Sequence, residues 1–114
     1  MSEAPAIDAA TLRELQDTAG ADFVADLAAM FLEDAPRMIA QLRAARDAAD
    51  AESFRRVAHS LKSNGLTFGA LAFAAQARAL ELGGLPAAHG AQPIARLEAE
   101  YDRAAAQLKA LAHA

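Results

Sequence analysis

Ala51-Glu52-Ser53-Phe54-Arg55-Arg56-Val57-Ala58-His59-Ser60-Leu61-Lys62-Ser63-Asn64-Gly65 reads as an amphipathic helix with an imidazole on its wet side. At about 100° per residue, Phe54, Val57, Ala58 and Leu61 share one stripe, which faces a core. His59 lies roughly opposite, flanked on neighbouring turns by Arg55, Arg56, Lys62 and Ser63. An imidazole held in water among cations is placed to react with an anionic group brought by a partner. A lone surface histidine on a helix is ordinary, so the weight of the reading falls on its neighbours.

Working outward, the rest of the chain has the same helical grammar. Asp50 is placed to cap the helix that carries His59. Upstream, Ile7 to Thr18 forms a short amphipathic helix, with Leu12 and Leu15 on one side, Asp8 as N-cap and Gly20 as its end. A longer helix is expected from Ala21 to about Ala49, with Phe23, Leu27, Met30, Phe31, Met38 and Leu42 at helical spacing. Pro36 removes one backbone donor in its middle, so a kink is expected there. Downstream, Gly65-Leu66-Thr67-Phe68-Gly69 marks a tight corner. A helix from Ala70 to Leu82 places Leu71, Ala74, Ala75 and Leu80 near one face. Gly83-Gly84-Leu85-Pro86 is the clearest loop, and a last helix runs from about Ala91 to Ala112 with Ile94, Leu97, Tyr101, Leu108 and Leu111 inward. Four long helices on short loops imply an all-α fold: an antiparallel up-down four-helix bundle, with the N-terminal helix as a cap.

Composition supports that class. The 114 residues suit a single domain spanning 1–114. Alanine and leucine dominate the 54% hydrophobic fraction, and only five residues are Val or Ile, which favours helices over strands. There is no run of about 20 apolar residues to span a membrane and no secretory signal at the N-terminus. The absence of cysteine removes disulfide and thiol chemistry and fits a cytoplasmic location. A formal net charge of −4 argues against nucleic acid, whose phosphates demand excess Lys and Arg. The surroundings of His59 are basic within this acidic chain, a pattern that steers an acidic protein surface.

The residues at this point carry a resemblance. Ala58-His59-Ser60-Leu61-Lys62-Ser63-Asn64-Gly65 with Thr67-Phe68-Gly69-Ala70 resembles the core motif of the histidine-containing phosphotransfer (HPt) domain of two-component phosphorelays. The pattern is a histidine, an aliphatic residue two places on, a lysine three on, a small residue four on and a glycine ten on. Leu61, Lys62, Ser63 and Gly69 supply those elements after His59. Phe31-Leu32-Glu33-Asp34-Ala35-Pro36 is similar to the family's usual second helix.

The resemblance implies a phosphocarrier rather than an enzyme, with no nucleotide loop to phosphorylate itself. His59 would accept a phosphoryl group from a receiver-domain aspartate or a kinase and pass it to a response-regulator aspartate. A neutral imidazole nitrogen attacks phosphorus near neutral pH, and the phosphoramidate formed is reactive enough to give the group up. Lys62, one turn on, offsets charge on the phosphoryl oxygens. Ser63 is small where a large side chain would block a docking partner, although glycine is commoner there in the family. The second ring nitrogen needs an orienting partner, a role that falls in the family to a Glu or Gln on the next helix and is matched in position by Glu81. Geometry alone leaves this open, since a hairpin turning between Leu66 and Gly69 can bring either Glu81 or Arg78 level with His59.

Arg55 and Arg56 are candidate docking cations, Leu66 is a candidate apolar contact, and Gly65 allows close helix packing. His89 and His113 read as ordinary exposed residues, and three scattered histidines form no zinc constellation. The expected partners are response-regulator receiver domains and a histidine kinase, met by a monomer without nucleic acid or membrane. No cofactor is expected on this chain, any Mg²⁺ belonging to the receiver. The alternative class is a helical adaptor that binds a receiver or kinase without transferring phosphate.

Overall fold

The computed structural model describes residues 6–87 and 92–112, with the side chains at 86, 87, 111 and 112 left out. Five helices follow one another: α1 (Ala9–Ala19), α2 (Ala21–Asp47), α3 (Ala51–Thr67), α4 (Leu71–Ala87) and α5 (Gln92–Ala112). Helices α2 to α5 pack in a ring in chain order, with α5 closing against α2, and α1 lies against α2 and α3. The connections Ala48–Asp50 and Phe68–Ala70 are too short for anything but antiparallel neighbours. Backbone and side-chain bonds tie the N-terminal segment to one end of the bundle. Asp8 N–H donates to the Gly69 carbonyl (2.8 Å), and Ile7 N–H donates to Gln107 Oε1 (3.0 Å).

Local signals set the helix ends. The Asp50 carboxylate accepts from the Ser53 N–H at 3.1 Å and caps α3 as expected. Asp8 holds the N-cap position of α1, but its carboxylate accepts from the Thr11 hydroxyl rather than from a backbone N–H. Helix α3 does not stop at Gly65; it continues to Thr67, and the corner falls at Phe68–Gly69–Ala70. Gly69 adopts a left-handed φ of 75°, and a Cβ there would stand 2.9 Å from Thr11 Cβ and 3.0 Å from the Asp8 carbonyl. The motif glycine is therefore what lets α1 close onto the corner. Helix α4 contains one non-helical residue, Gly84, inside the stretch read as a loop.

Pro36 sits within an unbroken α2. A proline offers no N–H to the carbonyl four residues earlier, here that of Leu32. Tyr101 of α5 donates its hydroxyl to that carbonyl at 3.0 Å, so the group left over by the proline is bonded. The same ring joins a buried aromatic cluster. Phe31 meets Phe68 (5.4 Å between centroids), Phe73 (5.8 Å, edge-on) and Tyr101 (5.9 Å), which locks α2, the corner, α4 and α5 together.

Which apolar residues face that core differs from the sequence pattern in two helices. In α2 the buried line is Val24, Ala28, Phe31, Ala35, Ile39, Leu42 and Ala45, while Phe23 and Met30 are exposed. In α4, Phe73, Ala74, Ala77 and Leu80 are buried, whereas Leu71 and Ala75 face outward. That helix is apolar almost all round, so small alanines cannot fix its rotation, and the largest side chain, Phe73, takes the interior. In α5, Ile94, Leu97, Tyr101 and Leu108 are inward as expected; the Leu111 side chain, His89 and His113 lie outside the described residues.

Candidate functional site

The site is built across the α3–α4 hairpin. Phe54, Ala58 and Leu61 anchor the inner face of α3, so the opposite face must carry His59 into water. Gly65 fixes how closely α4 approaches: a Cβ there would lie 2.6 Å from the Phe73 ring, which the aromatic cluster holds in place. With the turn at Ala70, residues equidistant from it in sequence stand across from each other. His59 therefore faces Glu81, and Lys62 faces Arg78. The ambiguity between Glu81 and Arg78 is resolved by the turn's position at Ala70, beyond the Leu66–Gly69 stretch.

His59 Nδ1 is 2.7 Å from Glu81 Oε2. A carboxylate only accepts, so in the neutral ring Nδ1 carries the hydrogen and Nε2 keeps its lone pair. The side chain of His59 is 55% exposed and that of Glu81 only 13%, so the anchor is sheltered while the imidazole is open to a partner. The other carboxylate oxygen, Oε1, is buried and lies 3.0 Å from Lys62 Nζ, an ion pair whose approach is off hydrogen-bond alignment. One carboxylate thus serves both the imidazole and the lysine. Lys62, then His59, hold the Glu81 carboxyl below the usual glutamate range, against the opposing pull of burial.

The remaining candidate residues lie around this trio without joining it. Ser63 is exposed one turn above His59, and its backbone carbonyl accepts from the Thr67 hydroxyl (3.1 Å). Arg55 and Arg56 are exposed on the turn below, with Arg56 donating to Ser53 Oγ at 3.3 Å. Leu66 is exposed on the same side of α3 as His59. Among the described residues no three His, Cys, Asp or Glu side chains gather as a metal site, and no helix is long and apolar enough to cross a membrane.

Two features were not foreseen from the sequence. The sharing of Glu81 by Lys62 follows from the hairpin register, which the tight Phe68–Ala70 corner could have signalled. The groove between α3 and α4, floored by Leu66, Leu71, Ala74 and Ala75, follows from the rotation of α4, for which the sequence carries no clear signal.

Residues 26–113 match the family model of the Hpt domain. Among solved structures the chain is similar to the crystal structure of histidine-containing phosphotransfer protein B (HptB) from Pseudomonas aeruginosa PAO1. The TM-score is 0.87 at 26% sequence identity, over 97% of each chain. No curated protein sequence matches the chain.

Proposed function

The chain belongs to the Hpt domain family, and from that premise we propose that His59 is its phosphoacceptor and that Nε2 is the reacting atom. Hpt domains are phosphocarrier modules of two-component phosphorelays, working between receiver domains and kinases. The observation that carries the reading is the 2.7 Å bond from His59 Nδ1 to a sheltered carboxylate, which leaves Nε2 bare on an exposed ring.

In the forward step the Nε2 lone pair attacks the phosphorus of a receiver's aspartyl phosphate. The N–P bond forms, the bond from phosphorus to the acyl oxygen breaks, and the aspartate carboxylate leaves with the electron pair. The proton stays on Nδ1, so the ring becomes a phosphorylated imidazolium, and Glu81 faces that new positive charge. Lys62 lies one turn on and balances the phosphoryl oxygens. The reverse step hands the group to the aspartate of a second receiver. No acid or base from this chain is needed in either direction, and the receiver brings any Mg²⁺ the transfer requires. Arg55, Arg56, Ser63 and Leu66 form the surrounding docking surface.

The test is incubation with phosphorylated receivers followed by recovery of label on this chain. The label should be acid-labile and base-stable, and His59→Gln should abolish it with helicity unchanged. A chain that binds receivers yet never takes label would be an adaptor, and label persisting on His59→Gln would place the acceptor elsewhere.

A further inference from the structure

Glu81 stands in the last regular turn of α4. The residue of that helix that leaves helical φ/ψ is Gly84, at φ 64° and ψ −153°, a region open to glycine and closed to side chains. Residues 80–83 therefore end the regular helix, and a helix end opens more readily than its middle. Gly83 lowers the helical preference of this turn further.

Little inside the turn holds it in place. Leu80 is buried, but Leu82 and Gly83 face water. The bonds of Glu81 end on His59 and Lys62, the groups that the carboxylate itself has to position. Beyond the bend, Leu85 is half-buried and packs against the core. Leu80 and Leu85 flank Gly84 at the two positions whose apolar contact commonly closes a helix that ends on glycine. Gly84 supplies the bend, and Leu85 supplies the weight that keeps the end of α4 down.

Resting on the reading of His59 as the phosphoacceptor, we infer that Leu85 is a positioning residue for the reaction: packed on the core beyond the Gly84 bend, it holds the last turn of α4, and with it Glu81, level with Nδ1 of His59. It acts through Glu81, four residues back and one helical turn away. When the turn opens, Nδ1 loses its acceptor and the ring is free to carry its hydrogen on Nε2 instead. That is the nitrogen whose lone pair the transfer needs, so loosening the end of α4 withdraws the reactive tautomer.

The experiment reads the His59 tautomer by ¹⁵N NMR, in mildly alkaline buffer that keeps imidazoles neutral, beside labelling by phosphoramidate and thermal melts. In Leu85→Ala the hydrogen should move in part from Nδ1 to Nε2, and phosphoramidate labelling should slow by about 5-fold. Leu85→Met, similar in volume, should restore both. Gly84→Ala cannot keep the bend without strain, and should move the tautomer the same way. Leu15→Ala on α1 trims another half-buried leucine on the core, and should lower the melting temperature with the tautomer unchanged. A Leu85→Ala chain that melts lower but keeps its hydrogen on Nδ1 would overturn the inference and leave Leu85 as packing alone. An equal tautomer shift in Leu15→Ala would also overturn it, since the shift would then come from general loosening. Should Leu85→Ala fail to fold, Leu85→Val, which only shortens the side chain, carries the same comparison. If phosphoramidate leaves the wild-type chain unlabelled, the phosphotransfer reading falls, while the tautomer comparison still decides whether Leu85 positions Glu81.

Discussion

Glu81 holds the imidazole with one oxygen and the lysine with the other, and that sharing decides how the three residues respond to substitution. Removing the Lys62 ammonium should slow transfer by roughly 10-fold, equivalent to about 1.4 kcal/mol. Glu81→Gln keeps one acceptor oxygen for Nδ1–H but turns an amide N–H toward Lys62 and deletes the charge facing the imidazolium. The two changes remove parts of one network, so the double variant should lose less than the product of the single losses when rates are read by rapid quench. Losses that simply multiply would mean that Lys62 and Glu81 act independently. The lowered carboxyl of Glu81 also carries a sign for stability. Its contribution is present above the ordinary glutamate range and is lost as pH falls through the depressed folded value. Melting temperature should therefore fall less steeply on acidification in Glu81→Gln than in the wild type.

At the scale of the helices, the Tyr101–Pro36 pairing has a definite energetic consequence. Tyr101→Phe leaves the Leu32 carbonyl without its donor, at a cost of about 1–2 kcal/mol. In a Pro36→Ala background the restored N–H can serve that carbonyl, so Tyr101→Phe should cost less there. Thermal melts of the four proteins check this, and an equal cost in both backgrounds would contradict it. Much at this scale was legible in advance. Asp50 as a cap, Gly20 as a stop and the inward faces of α3 and α5 follow from side-chain chemistry and spacing. The rotation of α4 was not legible, because alanines surround that helix and only packing against Phe31 and Tyr101 decides that Phe73 goes in and Leu71 goes out. The choice between Glu81 and Arg78 was hidden for a related reason. It depends on where the corner turns, and α3 runs two residues past Gly65 because Gly65 is a packing contact, not a breaker. His59, Lys62 and Ser63 lie within one contiguous motif, so their common exposed side was readable from a single helix, whereas their partner across the hairpin needed the third dimension.

For the whole molecule, the question is how a small bundle meets a receiver and lets it go. Repeated transfer favours a modest, transient interface. Arg78, without an ion-pair partner among the described residues, and exposed Arg55 one turn before His59 give the His59 side a positive bias in a chain of net charge −4, so association with a receiver should quicken as salt is lowered. Ser63→Arg adds bulk beside the imidazole and should block transfer from every receiver while the bundle melts normally. Normal transfer by that variant would mean that the partner approaches from another side. The central claim, that Glu81 fixes the hydrogen on Nδ1 and so makes Nε2 the reacting atom, is tested most directly by NMR of the phosphorylated chain labelled with ¹⁵N in its imidazoles. Phosphorus should be coupled to Nε2 of His59, with a proton retained on Nδ1. Phosphorus on Nδ1, or on any other residue, would contradict it.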